Sequence, residues 1–98
     1  MNPETADRLK SRNIQVLAEG KSHYFFGRDS YVALVERTET GFGSIGSTGM
    51  MTGGGLAYLV WREGRAFLVG KAGEAAAGAA DVEAIRQFSE DLSKSLAR

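Results

Sequence analysis

The stretch LAYLVWREGRAFLV, residues 56–69, constrains the fold more than any other part of the chain. Two runs of aliphatic and aromatic residues flank Arg-Glu-Gly-Arg, and Glu63-Gly64 has the chemistry of a two-residue hairpin turn. Zipping the runs around that turn sets Trp61 opposite Ala66, Val60 opposite Phe67 and Tyr58 opposite Val69. Side chains alternate between the two faces of a strand. One face of this hairpin therefore carries Leu56, Tyr58, Val60, Phe67 and Val69, and the other Ala57, Leu59, Trp61, Ala66 and Leu68. A sheet with one wet face would place polar residues at alternate positions. Here both faces are apolar, and both want cover.

A similar unit lies upstream. HYFFGRDSYVALVER, from His23, aligns without gaps on AYLVWREGRAFLVGK at a shift of 34 residues, so that Tyr24 meets Tyr58, Arg28 meets Arg62, Leu34 meets Leu68 and Val35 meets Val69. Asp29 then meets Glu63, which makes Asp29-Ser30 the first hairpin's turn and sets His23 across from Glu36. A duplicated hairpin explains the match, and so do the shared demands of two hairpins of equal length. IQVLAE, followed by Gly-Lys, adds a strand in front, giving three antiparallel strands in a meander. In the third of these, Tyr31, Ala33 and Val35 back onto Val32 and Leu34, again apolar on both sides.

Helices are expected at both ends. Asn2 suits an N-cap and Pro3 the first helical position, with Glu4 and Asp7 near the positive end of the dipole. Only Ala6 and Leu9 offer an apolar face, so this helix is short, ending near Asn13. AGEAAAGAA reads as an Ala/Gly connector, partly helical if anything. Asp81 then caps a helix through Leu96, on which Val82, Ile85, Phe88, Leu92 and Leu96 form one apolar stripe. Arg86 to Glu90 and Glu90 to Lys94 are i,i+4 pairs on its charged side, each contributing a few tenths of a kcal/mol.

GFGSIG, residues 41–46, spells the G-x-G-x-x-G of dinucleotide and kinase loops. The dinucleotide fingerprint needs a helix directly after the glycines, within a βαβ unit. STGMMTGGG follows instead, and then a hairpin. No Gly-Lys-Ser/Thr occurs, and the chain is too short for a kinase domain with its catalytic loop. The preferred reading is a fourth strand folded back on YVALVER, with TETG as the turn, glycines allowing bulges or close backbone approach, and TGGG as a mobile connector. A second reading makes residues 41–55 an anion or small-ligand loop, with Gly43, Ser44, Gly46, Ser47 and Thr48 as donors and Arg62 nearby. A third uses Met50 and Met51 as an adaptable partner-binding surface.

Composition narrows the remaining classes. Twelve basic and twelve acidic residues balance to zero net charge, which disfavours a nucleic-acid binder. No cysteine is present, so disulfides, thiol nucleophiles and Cys-ligated zinc are ruled out, and a reducing, cytoplasmic setting is the default expectation. Residues 1–12 hold no apolar run of the signal-peptide kind, and the longest unbroken apolar run, Leu56 to Trp61, is far short of a membrane span. His23 is the single histidine. Paired with Glu36 it offers an oriented base, but no nucleophile elbow accompanies it. Glu36, Glu39 and Glu74 have no metal-ligand spacing, and neither a metal nor a cofactor is expected. Trp61 and Tyr58 near Arg62, with Arg65 across the turn, offer a stacking platform or a cation–π contact.

The expectation is one α+β domain over residues 1–98: a five- or six-stranded antiparallel meander sheet, a short N-terminal helix, and a C-terminal amphipathic helix packed on one face. Apolar strand surface exceeds what one helix hides, so the other face is covered by the sheet curling into a partial barrel, by the glycine-rich loop folding back, or by a second protein molecule. At about 25 cal/mol per Å², leaving several large side chains wet forgoes several kcal/mol. A non-enzymatic interaction module that self-associates through the apolar sheet face left uncovered by the helix, as a homodimer or with a protein partner, is therefore expected, with Tyr58, Leu59, Trp61, Leu68, Met50 and Met51 at the interface. The alternative is a small-ligand or anion-binding domain, enzymatic or not, built on the glycine-rich loop 41–55.

Overall fold

Asn2 caps the first helix as its sequence position predicts. In the computed structural model, which describes residues 1–96, its Oδ1 accepts from the Thr5 amide at 2.8 Å, and α1 runs Pro3–Ser11. Its inward face is Thr5 and Leu9, whereas Ala6 is exposed. The expected Ala6–Leu9 stripe is thus corrected. The second helix, α2, covers Ala79–Ser95 with Gly78 as N-cap and no side-chain cap bond, so Asp81 is not the cap. Ala79 and Ala80 are strong helix formers and extend the helix by two residues ahead of it. Asp81 remains in the positive first turn and accepts from the Tyr31 hydroxyl at 3.1 Å.

Between the helices lies one antiparallel sheet of seven strands in strict sequence order: β1 Gln15–Glu19, β2 His23–Arg28, β3 Tyr31–Thr38, β4 Gly41–Thr52, β5 Gly55–Arg62, β6 Arg65–Gly70 and β7 Gly73–Ala76. The strand count exceeds the five or six expected because the Ala/Gly connector supplies a strand. Ala75 pairs with Leu68 and Glu74 with Val69, so GEAA is β7 rather than a partial helix. The second hairpin has the register its sequence predicts, with Trp61 on Ala66, Val60 on Phe67 and Tyr58 on Val69. Glu63 (φ 52°) and Gly64 (φ 76°) both adopt the left-handed conformation that a two-residue turn of this kind demands. The first hairpin likewise turns at Asp29-Ser30 and sets His23 opposite Glu36.

GFGSIG is the start of β4. Ile45 pairs with Val35 but Thr48 with Ala33, and Phe42 pairs with Arg37, so β4 carries an extra residue at each of two places. Gly46-Ser47 and Gly43-Ser44 are thus the bulges, each opposing a single β3 residue. Thr52-Gly53-Gly54-Gly55 is the tight turn into β5, not a free connector, and Thr52 Oγ1 accepts from the Gly54 amide at 3.2 Å. Beyond the bulges β4 approaches β5 closely at Gly49. A Cβ on Gly49 would lie 2.0 Å from the Ala57 carbonyl oxygen, so no side chain fits there. The β4–β5 ladder runs only from Thr52↔Gly55 to Gly49↔Tyr58, although β5 continues to Arg62.

Both helices pack on the same face. Leu9 and Ile14 join Tyr24, Phe26, Ala33, Val35, Phe88, Leu92 and Leu96 in one buried cluster, with Tyr31, Phe42 and Ile45 at its margin. Electrostatic ties fix the helices to the strand ends. Arg28 Nη1 donates to Asp91 Oδ2 at 2.9 Å and to the Arg12 carbonyl at 3.2 Å, and its guanidinium lies 5.4 Å from the Phe88 ring centre. Elsewhere Arg86 bonds Glu83 and Glu90 on the exposed side of α2. With extents of 38 × 26 × 25 Å the molecule is elongated.

Candidate interaction surface

The helices cover only part of the sheet. α2 lies against β3 and β4, and α1 against α2. The face that receives them can be followed through the ladders: Tyr31 pairs with Met50, Met50 with Ala57, and Ala57 with Gly70. Ala57, Leu59, Trp61, Ala66 and Leu68 therefore sit on the helix side, but on strands beyond the main helix contacts. Ala57 is buried, Leu59, Ala66 and Leu68 are half-buried, and Trp61 is 59% exposed. Trp61 is the largest of the exposed hydrophobic residues, and it is the single tryptophan of the chain.

The remaining interface candidates divide between the faces. Met50 is half-buried on the helix side, whereas Met51 is 49% exposed on the other. Tyr58 pairs with Gly49, which pairs with Val32, so Tyr58 lies on the face away from the helices, half-buried. On that face Val32 is fully buried between the glycines of its ladder row, Gly27 and Gly49, and Leu17 rests on Gly27. The back face is thus partly covered by its own side chains, and the large apolar residues left exposed are Met1, then Val16 and Leu17 on β1, Met51 on β4 and Trp61 on β5.

The structure does not gather the candidate ligand residues into a loop. Gly43, Ser44, Gly46, Ser47 and Thr48 follow one another along β4, so residues 41–55 are the fourth strand of the preferred reading and a hairpin turn, and not the ligand loop of the alternative. The reason is backbone pairing with β3, which bulges preserve where side-chain register fails. Where a Gly43 side chain would project lies the Glu36 carboxylate. Arg62 ends β5, where it is ion-paired with Glu74 and its guanidinium lies 5.6 Å from the Phe67 ring centre. No ladder joins it to the Gly43–Thr48 run. A cavity of about 810 Å³ is lined by Gly41, Phe42 and Gly43 with Asn2, Thr5 and Arg8, and it reaches Leu96, the last described residue. Ser44, Gly46, Ser47, Thr48 and Arg62 take no part in it.

His23 Nδ1 lies 2.9 Å from the Ser22 hydroxyl on the exposed surface. Glu36, its cross-strand partner, is turned onto Gly43. Among the described residues no three of His, Asp and Glu cluster as metal ligands do, and no helix is long and apolar enough to cross a membrane. The perturbed ionisations belong to the scaffold. Burial raises the Tyr31 phenol above its ordinary value, helped by its hydrogen bond to Asp81. Burial also raises that of Tyr24, whose hydroxyl donates to Glu19. The Arg28 hydrogen bond holds Asp91 below the usual carboxylate range.

Two features of this surface escape a reading of the sequence. One is β7, whose Ala/Gly composition carries no strand signal. The other is the ion pair Arg62–Glu74, which spans three strands and depends on β7 being there. Compared with protein families, curated proteins and solved structures, the chain matches none.

Proposed function

We propose that this chain is a non-enzymatic interaction module that self-associates as a homodimer through its β5–β7 arm, with Leu59, Trp61 and Leu68 in contact. One observation carries the reading: an exposed Trp61 standing beside half-buried leucines on the helix-side face, on strands beyond the main contacts of α2 with β3 and β4. Burying such a cluster gives about 25 cal/mol for each Å² of apolar surface removed from water, and aromatic anchors of this kind dominate interface energetics. Balanced charge leaves no net repulsion between copies. A cytoplasmic setting fits a chain without cysteine.

Because Trp61 is the single tryptophan, its fluorescence reports on this surface alone. Concentrating the protein to roughly 50 µM, well within the range of homodimers of ordinary interface size, is expected to give a dimer in sedimentation velocity with a blue-shifted tryptophan emission. Trp61→Lys is expected to return the monomer. A wild-type chain that sediments as a monomer throughout, with emission independent of concentration, overturns the reading.

A further inference from the structure

We propose that Trp61 of each copy seats in a hollow at the far end of the other copy's arm, about a two-fold axis along the Leu59–Leu68–Ala75 row. The proposal rests on the self-association above and names the contact that joins the copies.

The ladders divide the helix-side face of the arm into three rows. Trp61 pairs with Ala66 at one end. Leu59 pairs with Leu68, and Leu68 with Ala75, in the middle. Ala57 pairs with Gly70, and Gly70 with Gly73, at the other end. Bulk therefore falls along the strands, from an exposed indole through two leucines to alanine and glycine. The small end is concave. A hollow of about 250 Å³ there is lined chiefly by Ala57, Leu68, Gly70, Gly73 and Ala75, and no residue of α1 or α2 borders it. Nothing larger than glycine fits at Gly70, because a side chain there would strike the Leu56 carbonyl.

The protruding residue and the hollow thus share a face, one row to either side of the leucines. A two-fold axis through the leucine row, between two arms packed face to face, lays each Trp61 on the Ala57–Gly70–Gly73 row of the other copy. Leu59 and Leu68 then meet their own counterparts. At both ends a large residue meets small ones, as facing layers must do to interdigitate. An aromatic anchor seated in a hollow and ringed by drier neighbours is the usual energetic centre of an interface.

Charge at the two ends agrees. Glu63 lies in the turn just past Trp61, and Lys71 in the turn just past Gly70, beside the hollow. Both are exposed, and neither enters an ion pair with another described residue. Within one chain they stand at opposite ends of β6 and cannot meet. The axis that seats Trp61 brings Glu63 of each copy beside Lys71 of the other. A partner of other chemistry would match the indole or the hollow alone. A second copy matches both, and both charges, with one axis.

A filled hollow and a charge exchange test the seat. Ala75 is exposed on β7, so Ala75→Phe places a ring in the hollow from its own chain. It is expected to raise the dimer dissociation constant about tenfold and to leave the thermal midpoint of the dilute chain unchanged. Glu63→Lys and Lys71→Glu are each expected to weaken the dimer about fivefold, and the double variant to return it to within about twofold of wild type. Rescue between residues that cannot touch within one chain is a readout that a local role of either does not produce. Loss of dimer in Ala75→Phe together with rescue in the double variant supports the seat. If Ala75→Phe associates as tightly as wild type, or the double variant stays as weak as the single ones, the seat is overturned. Loss of dimer in Trp61→Lys then leaves the reading of the arm as the interface standing. A wild-type monomer overturns both.

Discussion

The two hairpins that resemble each other in sequence meet opposite fates in the fold. Tyr24, Phe26, Ala33 and Val35 of β2–β3 are all buried beneath α1 and α2. Their counterparts in β5–β6, Tyr58, Val60, Phe67 and Val69, are all half-buried and lie on the face away from the helices. The second hairpin thus presents the equivalent stripe to the other side of the sheet. Strand side chains alternate with a period of two, so a one-residue offset in pairing is enough to flip a whole face. Tyr24 stands opposite Val35, whereas Tyr58 enters the sheet opposite Gly49, in the row of Val32. The lesson is that a hairpin's sequence specifies its own register but not which side it offers to the core. That choice belongs to the neighbouring strand.

Truncating equivalent residues is the strongest way to break this comparison. Phe26 is fully buried, and Phe26→Ala is expected to cost about 4 kcal/mol, the usual range for a core aromatic. Val60→Ala, at the matching position of the arm, is expected to cost about 1 kcal/mol. Urea denaturation of dilute protein measures both. Equal losses would mean that the arm has a core of its own.

Gly49 is where β4 meets the second hairpin, opposite Tyr58, so it comes next in size. A side chain there meets the Ala57 carbonyl at 2.0 Å from its first carbon, and backbone cannot yield as a flexible side chain does. Gly49→Val is expected to cost about 3 kcal/mol. Gly53→Ala in the adjoining turn meets nothing within 4 Å and serves as the control, with an expected change of about 0.5 kcal/mol or less. If the two variants unfold at the same urea concentration, close approach at Gly49 does not shape the sheet.

Legibility in the sequence follows the same division. Hairpin registers, the α1 cap and the α2 stripe depend on local patterns, and each is found where the residues place it. The α+β architecture follows from them. The seventh strand depends on partners instead: GEAA has little strand propensity, and only the open edge of β6 makes it extended. The α1 face differs for a related reason, because Thr5 is buried only once its tertiary neighbours are in place, whereas the start of α2 differs for a local one, the helix propensity of Ala79 and Ala80 ahead of Asp81. Of the candidate surface, Leu59, Trp61 and Leu68 do share one face, as alternation predicts, but it is the face that carries the helices and not the uncovered one expected. That Met51 and Tyr58 look the other way could not be read without the pairing of β4.

The smallest effect separates the halves by how they are tied rather than how they are packed. The covered half is fastened by Arg28 and Asp91, a pair about one-fifth exposed on each side, whereas the arm's Arg62–Glu74 pair is about half exposed. Arg28→Gln is expected to cost about 1 kcal/mol at neutral pH, more than loss of a surface pair and less than loss of a fully buried one. The check is its pH dependence. Asp91 is held below its ordinary carboxylate value by the Arg28 hydrogen bond, so the folded state keeps that carboxylate charged to lower pH than the unfolded chain does. As pH falls past about 4, the unfolded state takes up a proton that the folded state still excludes, and stability declines. The contribution is fully present above that point and lost as pH drops through the lowered native value. In Arg28→Gln the largest cause of the depression is gone, leaving Gln87 and Lys94, so the difference in unfolding free energy between wild type and variant should shrink as pH falls from about 5 toward 2. A difference that stays constant over that interval would mean that Arg28 holds α2 through its contact with Phe88 and the Arg12 carbonyl, not through charge.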